Sequence, residues 1–140
     1  MDAKEKAGKV VDTMMEHDFY SQWLGIKVLE TGEGISKLHM TVRKEMLNGF
    51  GIAHGAITYA LADSALAFSA NSHGVKSVSV ETSISHIAGV KEGDQLTATA
   101  TEIHKSRKIG VYDISVSNQN NEKVALFKGT VYRTSKEWDV

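Results

Sequence analysis

Asp63 is the only acid in the run NGFGIAHGAITYALADSALAFSANSHG, which extends from Asn48 to Gly74. From Ala56 to Ala70 nearly every residue is a good helix former, and six are alanine. A helix that is apolar almost all round is usually buried. A carboxylate on such a helix is costly without partners, and burial raises its pKa. A group of that kind is suited to taking a proton from water or attacking an electrophilic carbon. Two readings stay open at this point. Either Asp63 is a working carboxylate with room for a substrate among alanines, or it is held by hydroxyl and backbone donors or exposed where the helix leaves the fold.

Asn48-Gly49 and His54-Gly55 stand just ahead of the helix. A helix N-terminus offers unpaired N–H groups and partial positive charge. Gly55 lets a reacting group approach the backbone, and its N–H, aimed at a carbonyl, makes an oxyanion hole. The glycines alone are weak evidence, because glycines also mark turns. His54 by itself reads as a capping or orienting residue rather than a base.

These residues need a frame. At 3.6 residues per turn, Ile57, Leu61 and Phe68 form a large apolar stripe. Ala56, Ala60, Asp63, Ala67 and Ala70 form a second stripe of small residues plus the acid, open to a backbone, a partner subunit or a ligand. Tyr59 and Leu66 flank Asp63, and Gly74 is the expected stop. Residues 2–17 read as an amphipathic helix, with Val10, Met14 and His17 on one side and Val11 and Met15 beside them. After Leu24 the pattern turns to period two, the strand signal. GISKLHMTV alternates Leu38, Met40 and Val42 against Lys37, His39 and Thr41. Beyond the helix, SVSVETSI sets Val78, Val80, Thr82 and Ile84 inward against Ser77, Ser79, Glu81 and Ser83, and His86 continues the inward set. DQLTATATEI, GVYDISVSN and EKVALFKGTVYR follow. Short polar or Gly-containing breaks favour antiparallel neighbours. The expectation is α+β in one domain over 1–140: helix, two strands, a long helix, then four strands.

Composition narrows the chemistry. A formal net charge of −1 argues against general nucleic-acid binding. The chain has no cysteine, hence no disulfide, thiolate ligand or thiol nucleophile. Its six histidines are scattered without a short-spaced metal pair such as HExxH. No apolar run approaches the roughly 20 residues of a membrane span. A cytoplasmic location is expected.

The run LNGFGIAHGAITYALADSALAFSANSHG, followed by GDQLTATATE, GVYDISVSNQ and VALFKGTVYR, resembles the hotdog-fold acyl-CoA thioesterases of the PaaI type, enzymes of phenylacetate degradation. The likeness covers about Gly25 to Arg133. It implies a long central helix wrapped by an antiparallel β-sheet, in agreement with the strand count. It implies dimers with active sites between subunits, often paired into tetramers, acting on an acyl-CoA without metal or cofactor, coenzyme A being part of the substrate. By motif position, Asp63 is then the catalytic carboxylate, as base or nucleophile. Asn48 orients water or the thioester, the Gly55 N–H polarises the thioester carbonyl, and His54 supports that turn. Asp63 faces Asn48 and Gly55 of a partner.

The chain departs from the family pattern in two places. The usual HGG reads His54-Gly55-Ala56, and SISHIAGVKEGD replaces a phenylalanine and Arg-Pro after the first post-helix strand. The second departure bears on the acyl group, of which aryl-acetyl is the leading candidate. Tyr59 and His86 are candidate substrate contacts, with a satisfied structural histidine as the simpler reading of His86. Lys105, Arg107 and Lys108 cluster in one turn as candidates for the CoA phosphates, with a solvated hairpin tip as the simpler reading. Two other functions remain in view: an enoyl-CoA hydratase or dehydratase, and a non-catalytic acyl-CoA-binding protein.

Overall fold

Asp2 Oδ1 accepts the Glu5 N–H at 2.8 Å and so starts α1, Ala3–His17. The computed structural model describes all 140 residues. Ala7, Val10 and Val11 are buried, and Met14 and Met15 pack half-buried against the core. His17, expected on the apolar side, is exposed, with Nδ1 3.3 Å from the Thr13 carbonyl. A polar ring in the last turn finds its partners in that carbonyl and in water.

Asp18 then caps α2, Phe19–Trp23, a helix too short for periodicity to reveal. The strands are β1 (Lys27–Gly32), β2 (Ile35–Thr41), β3 (Val75–His86), β4 (Gln95–Lys105), β5 (Ile109–Ser117) and β6 (Lys123–Glu137). They form one antiparallel sheet in the order β1-β2-β4-β5-β6-β3. The long helix is α3, Gly55–Asn71, and it packs against β2 to β6. The expected α+β arrangement, a long helix wrapped by an antiparallel sheet, is the one observed. No helix is long and apolar enough to cross a membrane.

From Ile57 to Asn71 every residue of α3 is buried except Tyr59, Asp63 and Ala67. Residues four apart share a face, so these three draw one open line along the helix. The small-residue stripe is thereby corrected. Ala60 and Ala70 are 7% and 1% exposed within their own chain, because the sheet curls around that side as well. Gly129 shows how closely the sheet approaches. A Cβ there would lie 2.5 Å from Leu66 Cδ2.

β3 also differs from expectation. Its pairing with β6 shifts between Ser79 and Glu81, a β-bulge at Val80. Ser79 opposes buried Val131 and Val78 opposes exposed Tyr132, whereas Thr82 opposes Gly129 and Ile84 opposes Phe127. Opposed residues share a face, so Ser77 and Ser79 point inward, together with Thr82, Ile84 and His86. Val78 and Val80 are 57% and 61% exposed rather than inward. β3 is also an edge, with β6 on one side and no strand on the other.

Candidate functional site

α3 begins where His54 Nδ1 accepts the Ala56 N–H at 3.0 Å. That lone pair is spent on the cap, so the proton of the neutral ring lies on Nε2 and Nδ1 is no base. The Gly55 N–H has no acceptor within the chain. His86 packs over Gly55, where an added Cβ would lie 3.2 Å from Nε2. Thr58 Oγ1 donates to the Gly55 carbonyl at 3.1 Å and lies 3.2 Å from His86 Nδ1. With the hydroxyl proton so used, His86 Nδ1 donates to Thr58, and Nε2 is left as a free acceptor.

Asn48 sits beside this turn. Its Oδ1 accepts the Phe50 N–H at 2.9 Å and the Ile52 N–H at 3.4 Å. The loop thus fixes the amide by its oxygen, and Nδ2 keeps both protons for another acceptor. Asn48, Gly55, Thr58 and His86 line one cavity of about 170 Å³.

Asp63 lies elsewhere. Eight residues of helix separate it from Gly55, about 12 Å along the axis. It lines a second cavity, of about 420 Å³, with Met14, Leu66, Asn71, Val131 and Trp138 among its walls. Burial raises the Asp63 pKa above the ordinary aspartate value, and the Asp18 charge raises it further, with no hydrogen bond opposing them. Of the two readings left open, an acid held by donors is therefore not the one observed. Asp18 is itself fixed. Its Oδ1 accepts the Ser21 N–H at 3.0 Å and its Oδ2 accepts the Ser21 hydroxyl at 2.6 Å, while Ser21 Oγ lies 2.8 Å from Ser64 Oγ on α3.

The other candidates fall around these two cavities. Tyr59 stands between them on the open line of α3, its hydroxyl 2.7 Å from Thr82 Oγ1 and its ring edge-on to Phe127 at 5.4 Å. Lys105, Arg107 and Lys108 are exposed around the β4–β5 turn and line neither cavity. The Lys108 carbonyl accepts the Arg133 N–H at 2.7 Å, and Arg133 pairs with Ser77. The basic turn is therefore at the same end of the sheet as the Asp63 cavity. Thr58, Asp18, Ser21 and Trp138 escaped sequence reasoning. Each reaches its place through the fold, and none carries a local motif.

The protein has clear relatives. Residues 50–125 match the family model described as the thioesterase superfamily. The acyl-coenzyme A thioesterase PaaI of Escherichia coli is 39% identical over 91% of this chain and 91% of its own. The solved structure of the E. coli PaaI protein from the phenylacetic acid degradation operon superposes with a TM-score of 0.95, at 37% identity, over 97% of this chain and 99% of that one. A variant of the phenylacetic acid degradation protein PaaI from Thermus thermophilus gives a TM-score of 0.81 at 35% identity, over 84% and 100% of the two chains. By these matches the chain belongs to the thioesterase superfamily and has the hotdog architecture of its PaaI relatives.

Proposed function

We propose that the protein hydrolyses acyl-CoA thioesters, with Asp63 as general base. The observation that carries this is the Asp63 carboxylate itself: unbonded by its own chain, raised in pKa, and on the wall of a cavity. Asp63 takes a proton from a water as the water oxygen bonds to the thioester carbon. The resulting oxyanion is held by the Gly55 N–H and the Asn48 amide. Collapse breaks the carbon–sulfur bond, and the departing thiolate takes up the proton. Free acid and CoA are the products, and no metal or cofactor enters.

The 12-residue free edge of β3 supports a route by which the separated halves would meet. An unpaired edge of that length is a template for a second strand. If β3 pairs antiparallel with its own two-fold copy, its start lies against the copy's end. Ser77 and Ser79 border the Asp63 cavity, and His86 borders the Asn48–Gly55 cavity. Two-fold pairing thus lays one protomer's Asp63 beside its partner's Gly55 and Asn48, in a homodimer that pairs further into a tetramer. His54 holds the turn, Tyr59 and His86 contact the substrate, and Lys105, Arg107 and Lys108 serve the CoA phosphates. Aryl-acetyl thioesters in cytoplasmic phenylacetate degradation are the favoured substrates.

Thiol release from a panel of phenylacetyl-, hydroxyphenylacetyl-, benzoyl- and straight-chain acyl-CoAs tests the reading. Turnover is expected in the wild type. Asn48→Asp keeps both loop hydrogen bonds but loses the amide donor, and should lower kcat by about 10²–10³-fold. No thiol release from any member, or hydration of an enoyl-CoA instead, would reject it.

A further inference from the structure

We infer that Trp138, from the tail beyond β6, and Met14, from α1, form the end wall of the acyl pocket and set the longest acyl group the enzyme accepts. This rests on the thioesterase reading above and goes beyond it by assigning the specificity wall.

Trp138 is held from three directions. Its Nε1–H donates to Asn71 Oδ1 at 2.9 Å, and its backbone N–H donates to the Gly74 carbonyl at 2.8 Å. Lys76 Nζ lies over the ring, 4.9 Å from its centroid. A side chain so fixed presents a rigid surface. Met14 adds a flexible thioether that adapts to a flat ring or a short chain. Both line the Asp63 cavity of about 420 Å³, and both line a neighbouring cavity of about 550 Å³ with Thr13, His17 and Asp18. No other residue is shared by the two. They are therefore the partition between them. With the thioester carbon at Asp63, an acyl group that enters along Leu66 and Val131 ends at this partition. An aryl-acetyl or short apolar group fits on the near side, whereas a long chain needs the space beyond. No motif marks Trp138, and its role follows only from where the chain's end is tied.

Trp138→Ala and Met14→Ala test the wall. Asn71 Oδ1 still accepts the Ser77 N–H, and Nδ2 still donates to the Ala67 and Ser77 carbonyls, so the tail substitution leaves that site bonded. The readout is kcat/KM for decanoyl-CoA relative to phenylacetyl-CoA. The ratio should rise by at least about tenfold in either variant, the scale on which a pocket discriminates chain length. Equal changes on both substrates, with hydrolysis retained, would overturn the inference and leave the thioesterase reading intact. A second measurement uses Trp23→Phe, which leaves Trp138 as the one tryptophan. Its emission should respond to phenylacetyl-CoA in an Asp63→Asn background and not to CoA alone. That response in a protein whose wild type hydrolyses nothing would keep the wall and reject the reaction; equal responses to both ligands would reject the wall.

Discussion

At the scale of single residues, Asp63 was legible because it breaks a rule. An acid in an otherwise apolar helix must be partnered, strained in its ionisation or functional, and sequence alone left these open. What sequence withheld was the partner that matters, Asp18, which meets Asp63 only because α1 ends beside α3. Two predictions follow from this pair. Asp63→Asn should cut thioester hydrolysis by at least about 10²-fold, the scale of a lost general base. It should also raise the melting temperature at neutral pH. The raised native pKa means that folding disfavours the charged form, so the destabilisation is complete above the native pKa and vanishes below the unfolded one. The variant's advantage should therefore shrink as pH falls into the ordinary carboxylate range. A variant that melts earlier yet turns over normally would remove Asp63 from the chemistry. Asp18→Asn keeps an oxygen for the α2 cap but removes the charge that helps to raise Asp63. The acid limb of its kcat/KM profile should move to lower pH. A limb that stays in place would mean that Asp18 only caps the helix.

At the scale of elements, α3 and β2 to β6 were legible from period and from turn chemistry, and β1 only as one of the two strands counted between Leu24 and α3. Their residue patterns repeat long enough to mark a helix or a strand, although in β3 the alternation assigns Val78 and Val80 to the wrong face. The bulge in β3 was not legible. Valine at 80 continues the alternation of Val78 and Thr82, and only the register against β6 shows that the faces exchange there. Helix α2 was hidden for another reason: Phe19, Tyr20 and Trp23 are all largely exposed and show no buried face. The contact between α3 and β6 gives a direct test of how tightly helix and sheet are fitted. Gly129 sits in a strand, where glycine is ordinarily unfavourable, because Leu66 occupies the space of its side chain. The crowding reaches past the tip of the side chain, because Leu66 Cγ as well as both Cδ atoms lies within 3.2 Å of that position. Gly129→Ala should thus destabilise the fold by about 1–3 kcal/mol through overpacking. Thermal or denaturant unfolding measures this, and a neutral result would show that Leu66 yields.

At the scale of the molecule, the sequence placed Asp63, Asn48 and Gly55 in one motif, and the fold pulls them apart. The two cavities open along the same side of α3 but at different levels. In the proposed dimer a two-fold partner seated on the free β3 edge would join them, whereas a lone chain would leave each half without its counterpart. The distinction can be measured with two defective proteins. Asp63→Asn damages one half, and Asn48→Asp damages the other while preserving its loop. Each homodimer should be nearly inactive. When the two are co-expressed, a mixed dimer carries one site with both defects and one site with neither. Random pairing makes half of the dimers mixed and leaves one of their two sites whole, so activity should return to about a quarter of the wild-type value. If the site instead lay within one protomer, every chain in the mixture would carry a defect and no activity would return. Recovery to that level is thus the outcome expected if Asp63 of one subunit works with Asn48 of the other, the arrangement we propose from their separation into two cavities.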